Sequence, residues 1–156
     1  AISLIITYPE LSDLVTEMAA LAREEMSHFE MVHKRILERG FKLGWERKDE
    51  YVGQIMSFFP KESDRMKRLI NRLLVAGLIE ARSCERFKVF SDHIKDKDLI
   101  EFYRNLMISE ANHYTMFLKF ARQYGNKEVV DKKWQELLEF EAEVMKGLGT
   151  KELIHG

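Results

Sequence analysis

The sequence predicts an all-α protein, and three observations carry that reading. Eight glycines and two prolines in 156 residues are too few turn-formers for a sandwich or barrel. Hydrophobic residues at 46% and charged residues at 33% can build a core and argue against disorder. Apolar residues also recur at alternating steps of four and three over long stretches, the signature of packed helices. The length suits one domain, residues 1–156.

Five helices follow in order. The stub from Ala1 to about Thr7, closed by Tyr8-Pro9, reads as the last two turns of a helix that starts upstream. The second runs from Leu14 to about Arg39, with Ser12 or Asp13 as N-cap and Gly40 at its end. A crossover connection over 41–62 follows, with a short helix near Asp49 to Ser57. The third helix starts after Pro60, at Ser63 or Asp64, and ends near Phe90. The fourth begins at Asp98, with Glu101 closing a capping box, and ends before Gly125. An additional helix over 127–146 starts after Asn126 and fades at Gly147 and Gly149.

Charge and cysteine usage exclude several classes. With 25 basic and 26 acidic residues the net charge is −1, which excludes a uniformly basic nucleic-acid coat but not a local basic patch. One cysteine, Cys84, excludes an internal disulfide and any all-cysteine metal site. A reducing compartment, the cytoplasm, fits. The longest stretch free of Asp, Glu, Lys and Arg is the ten residues from Tyr51 to Pro60, about half a membrane span. No membrane partner is expected.

Three helices carry narrow stripes broken by polar residues near the middle. They read Leu14, Met18, Leu21, Glu25, His28, Val32; then Leu73, Gly77, Glu80, Cys84, Phe87; then Leu99, Tyr103, Leu106, Glu110, His113, Phe117, Phe120, Tyr124. Buried carboxylates without compensation cost several kcal/mol, so carboxylates facing one core need a shared cation. Glu-x-x-His alone is a weak signal, because four of five histidines have it: His28, His33, His113 and His155. Register separates them. Counted from Asp13 and Asp98, Glu25 and Glu110 fall at the same step, as do His28 and His113, so the chain holds a divergent repeat with an offset of 85. Glu30 and His33 lie off this register, and Glu152 and His155 sit in a glycine-flanked tail. The ordinary alternative, two interior histidines, does not account for a matched pair of pairs.

The third helix offers Glu80 or Glu85. From Asp98 to Glu110 the chain travels about 18 Å; Glu80 lies about 15 Å from Phe90 and Glu85 only about 7.5 Å. Glu80 matches that depth and lies on the stripe. Glu85 lies off it and suits a salt bridge to Arg82 or Arg86. Shifting Glu80 back by the offset places its repeat partner five residues before Ala1, so a first-helix carboxylate is expected outside this sequence. The fold expected is a four-helix bundle with an additional C-terminal helix, its first helix truncated.

Two Glu-x-x-His helices and a carboxylate from each of two others form the ferritin-like di-iron pattern. The block Leu74-Val75-Ala76-Gly77-Leu78-Ile79-Glu80-Ala81-Arg82-Ser83-Cys84-Glu85-Arg86-Phe87, with Leu21-Ala22-Arg23-Glu24-Glu25-Met26-Ser27-His28-Phe29-Glu30, resembles the MiaE-type tRNA hydroxylases. The resemblance covers roughly Leu11 to Gln123. It implies metal ligation by Glu25, His28, Glu80, Glu110 and His113, two iron ions as cofactor and dioxygen as co-substrate. It implies hydroxylation of the isopentenyl group of 2-methylthio-isopentenyl-adenosine in tRNA, with electrons from a reductase partner. Hard carboxylates with imidazole and no thiolate suit iron or manganese. No acid–base catalyst beyond the ligands is implied. Tyr103, Tyr114 and Phe117 are pocket candidates whose ordinary role is core packing.

An RNA substrate needs positive surface. The stretches Lys34–Lys48 and Lys61–Arg72 are basic, although such runs are commonly just solvated helix faces. The acidic run Glu136, Glu139, Glu141 and Glu143 would repel RNA and is expected to face elsewhere. Two competing functions are a ferritin-like iron-oxidising, storage or peroxide-scavenging protein, and a metal-free helical binding module. Particle size separates the storage cage, and iron content separates the module.

Overall fold

The computed structural model describes residues 1–45 and 50–148, and every regular element among them is an α-helix. These are α1 (Ile2–Thr7), α2 (Ser12–Glu38), α3 (Glu50–Ser57), α4 (Arg65–His93), α5 (Lys97–Tyr124) and α6 (Lys127–Leu148). The chain divides into two compact units, Ala1–Arg47 and Lys48–Gly156. None of the described helices is long and apolar enough to cross a membrane.

In the first unit α1 packs on α2. Tyr8 is buried in the corner between them, and its carbonyl accepts a hydrogen bond from the Leu11 amide at 3.1 Å. That turn starts α2 earlier than expected. The N-cap is Leu11, without a side-chain cap, rather than Ser12 or Asp13. Asp13 instead sits in the first turn, its Oδ1 taking the Leu14 amide at 2.9 Å, where a carboxylate meets the positive end of the helix dipole. Leu14, Met18 and Leu21 form the buried face. At the other end Gly40 adopts φ +77°, the left-handed region open to glycine. Its amide donates to Leu37 O at 2.9 Å and the Phe41 amide to Ile36 O at 3.0 Å. This pairing is a Schellman closure, which satisfies orphan carbonyls and fixes the direction in which the chain leaves α2.

In the second unit α4 and α5 pair along their length, and α6 packs on α3, α4 and α5. Asp64 caps α4 by accepting the Lys67 amide at 2.9 Å, and α4 runs to His93, three residues beyond the expected end. The cap of α5 is Asp96, not Asp98. Its Oδ1 accepts from the Asp98 and Leu99 amides at 3.0 and 3.2 Å. With the cap at Asp96, Glu101 lies too deep in the helix to close a capping box. Asn126 opens α6 by taking the Val129 amide at 3.2 Å.

Leu69, Leu73, Leu74 and Leu78 of α4 are buried with Leu106, Phe117 and Phe120 of α5, and α6 contributes Val130, Trp134 and Leu137. Each such side chain contributes about 1.5–3 kcal/mol on burial. Gly77 of α4 faces α5, where a β-carbon would meet Phe117 Cβ at an ordinary contact distance of 3.6 Å.

Within the acidic run of α6, Glu136, Glu139 and Glu143 are exposed, whereas Glu141 is 2% exposed. Arg82 of α4 grips both of its carboxylate oxygens, and the Tyr51 hydroxyl of α3 donates to Oε1 at 3.2 Å. Hydrogen bonding to Glu141 pushes the Arg82 guanidinium further above its ordinary range. Burial, then the Glu141 charge, pushes the Tyr51 phenol up. The knot ties α3, α4 and α6 together. A sequence signal for it existed: Val130, Trp134, Leu137, Glu141 and Val144 repeat the four-three stripe of the other helices, with the carboxylate on the stripe.

Candidate metal centre

α5 places Glu110 and His113 one turn apart on its buried face, each 5% exposed. Glu110 Oε2 lies 3.8 Å from His113 Nδ1. Across the α4–α5 contact, Glu80 joins them. One donor atom from each of Glu80, Glu110 and His113 lies within 4.8 Å of the others. Two carboxylates at this separation, one buried and one half-buried, repel each other unless a proton or a cation lies between them. Two hard oxygen ligands and one imidazole are a donor set for a first-row divalent metal, and this group fits one.

Glu85, the competing carboxylate, turns the other way. It is largely exposed and bonds Arg82 Nη1 at 2.6 Å. Cys84 lies one turn beyond Glu80, partly buried. Burial, then the Glu110 and Glu85 charges, raise its thiol pKa above the usual value.

In the first unit α2 carries Glu25 and His28 one turn apart, with Glu25 Oε2 3.6 Å from His28 Nδ1. Glu24 approaches the other ring nitrogen at 3.9 Å. The His28 side chain is 14% exposed and that of Glu25 43%. The repeat appears in the backbone too, since α2 starts at Ser12 and α5 at Lys97, the same offset of 85. Glu30 is exposed, and His33 stacks on Phe29 with ring centroids 5.8 Å apart. Glu152 and His155 lie outside the described residues.

The aromatic candidates pack. Tyr103 stands among Phe87, Phe90 and Phe102 at centroid distances of 5.7, 5.1 and 5.3 Å. Tyr114 faces Trp134 at 5.8 Å, and Phe117 is buried.

The chain is 38% identical over 127 residues to a Pseudomonas putida protein named tRNA 2-(methylsulfanyl)-N(6)-isopentenyladenosine(37) hydroxylase, a match covering 81% of this chain and 60% of that protein. It is 33% identical over 122 residues to a Salmonella typhimurium protein of the same name, covering 74% of this chain and 42% of that one. The chain thus spans about half the length of the curated relatives it matches. Among solved structures it resembles a Synechococcus protein described as having aldehyde deformylating oxygenase activity, with a TM-score of 0.84 and 31% identity over 91% of this chain and 70% of that one. The architecture is ferritin-like. A family model described as tRNA-(MS[2]IO[6]A)-hydroxylase (MiaE) matches residues 1–156, and the chain belongs to that family.

Proposed function

We propose that this chain carries the metal-binding core of a dioxygen-dependent hydroxylase acting on the isopentenyl group of 2-methylthio-isopentenyl-adenosine in tRNA. The observation that carries the reading is the meeting of half-buried Glu80 with buried Glu110 and His113 in a chain whose curated relatives bear that activity in their names. Glu25 and His28 are assigned as further ligands from their register in the repeat. The metal is assigned as a pair of iron ions, in keeping with an oxygen-rich donor set and a single imidazole per Glu-x-x-His helix. The family model matching residues 1–156 supports treating them as one ferritin-like domain.

Iron bound there would supply the reduction of dioxygen and the oxidation of an allylic C–H bond of the isopentenyl group, which no side chain here can perform. The chain's own residues hold and shield. Glu110 and His113 stand in the core, where bulk water is excluded. The pairing of α4 with α5 along their length brings Glu80 to them, and the Arg82–Glu141 pair fixes the segment of α4 just beyond Glu80. Placing one oxygen atom in the substrate and the other in water consumes two electrons from outside, so a reductase is the expected partner. A tRNA substrate places the reaction in the cytoplasm.

The test uses the protein at its full natural length, loaded with iron and incubated with isopentenylated tRNA, dioxygen and a reductant. The nucleoside should gain one oxygen atom. Unchanged nucleoside mass under these conditions refutes the reading.

A further inference from the structure

We propose that the C-terminal end of α2 and the segment after it form the docking surface for single-stranded RNA. This inference rests on the tRNA reading above and locates its substrate-binding face. The first argument is a comparison of the two halves of the repeat. Beyond His113 the α5 stripe continues as Phe117, Phe120 and Tyr124, with both phenylalanines buried. The matching positions beyond His28 are Val32, Arg35 and Arg39. Val32 is 38% exposed, Arg35 is partly exposed and Arg39 is exposed. One copy closes its stripe with aromatic core. The other opens it to solvent and lines it with guanidinium groups, which suit phosphate.

The second argument is the exit from α2. The closure at Gly40 launches a run in which Phe41 is 67% and Trp45 98% exposed, with exposed Lys42 between them. Exposed aromatics next to cations form a stacking platform for unpaired bases. Residues 34–45 hold four cations and a single carboxylate, in a chain of net charge −1. That local excess selects an anionic partner over an apolar protein face. The third argument is reach. Arg35 stands two turns from His28, about 10 Å along the helix, and Arg39 about 16 Å. A nucleotide with its phosphate on either arginine can extend its base and prenyl group back along the stripe toward Glu25 and His28.

The test measures binding of an RNA hairpin with isopentenylated adenosine in its loop, by fluorescence anisotropy at several salt concentrations, with the full-length iron-loaded protein. Arg35→Gln/Arg39→Gln should weaken binding at least tenfold and flatten the salt slope by about two. Trp45→Ala should weaken it about tenfold with the salt slope unchanged. Lys132→Gln, on α6, should match wild type. RNA should quench part of the tryptophan emission of wild type, and Trp45→Phe should remove that part. Iron content and melting temperature show whether each variant is intact. Wild-type affinity and slope in both α2-end variants overturn the proposal while leaving the hydroxylase reading standing. So does a variant defect seen only in reductase coupling or self-association, which would make this a protein interface. If wild type neither binds nor hydroxylates the RNA, both readings fall together.

Discussion

Removing Arg82 should destabilise the fold more than any exposed ion pair could. Glu141 is 2% exposed, while the Arg82 side chain is 29% exposed. An Arg82→Ala variant leaves the Glu141 carboxylate in the interior with the Tyr51 hydroxyl beside it. Breaking a buried pair costs about 3–5 kcal/mol, and the partial exposure of Arg82 places the loss near the lower end, about 3 kcal/mol. For a chain of this length that is a fall of about 6–12 °C in Tm. Thermal and urea unfolding of metal-free protein, followed by circular dichroism, would measure it. Replacing both residues, Arg82→Met with Glu141→Leu, should recover most of the loss, because an apolar pair of similar volume needs no desolvation. A loss below about 1 kcal/mol in Arg82→Ala, or a double variant as unstable as Arg82→Ala, would refute the account.

Other outcomes follow from the same packing. Glu80→Ala, Glu110→Ala and His113→Ala should each lower bound iron or manganese by tenfold or more in metal analysis, whereas Glu85→Ala should keep it. Gly125→Ala should cost about 1–3 kcal/mol, because a β-carbon there meets Ile70 and Val130 side chains at 2.8 Å and the Ala121 carbonyl at 3.1 Å. Gly77→Ala should be neutral or stabilise by up to about 1 kcal/mol, since its nearest neighbours would lie at ordinary contact distance. The two glycines can be ranked by urea midpoint. The Arg122 hydrogen bond, followed by Lys127, holds Asp131 below its ordinary value of 3.8. Its contribution is therefore complete above pH 3.8 and lost as pH falls through the lower folded value. Asp131→Asn should remove that increment of acid lability in a pH series of unfolding midpoints.

The helices were legible because the four-three stripes are long and the breakers few. Their starts were less so. Asp96 and Asp98 are both chemically able to cap, and only the backbone path out of α4 selects the first. Leu11 caps α2 because the Tyr8 turn, not a side chain, takes up the chain there. The meeting of Glu80 with Glu110 and His113 could be read from depth along a hairpin, since helical rise is constant. The burial of Glu141 was missed because it stands among other glutamates and looks like surface. Its place on the α6 stripe was the available clue. Its partners, Tyr51 and Arg82, lie 90 and 59 residues away, a pairing that local pattern does not encode.

The knot at Glu141 also bears on the order in which the molecule assembles. α3 has eight residues, too few to persist as a lone helix in water. Tyr51 and Ile55 nevertheless have no exposed surface. α3 must therefore condense late, onto a platform that α4 and α6 have already built, and it is the first piece to let go when that platform loosens. Its backbone amides would then exchange with solvent by a local opening well before the long helices release theirs.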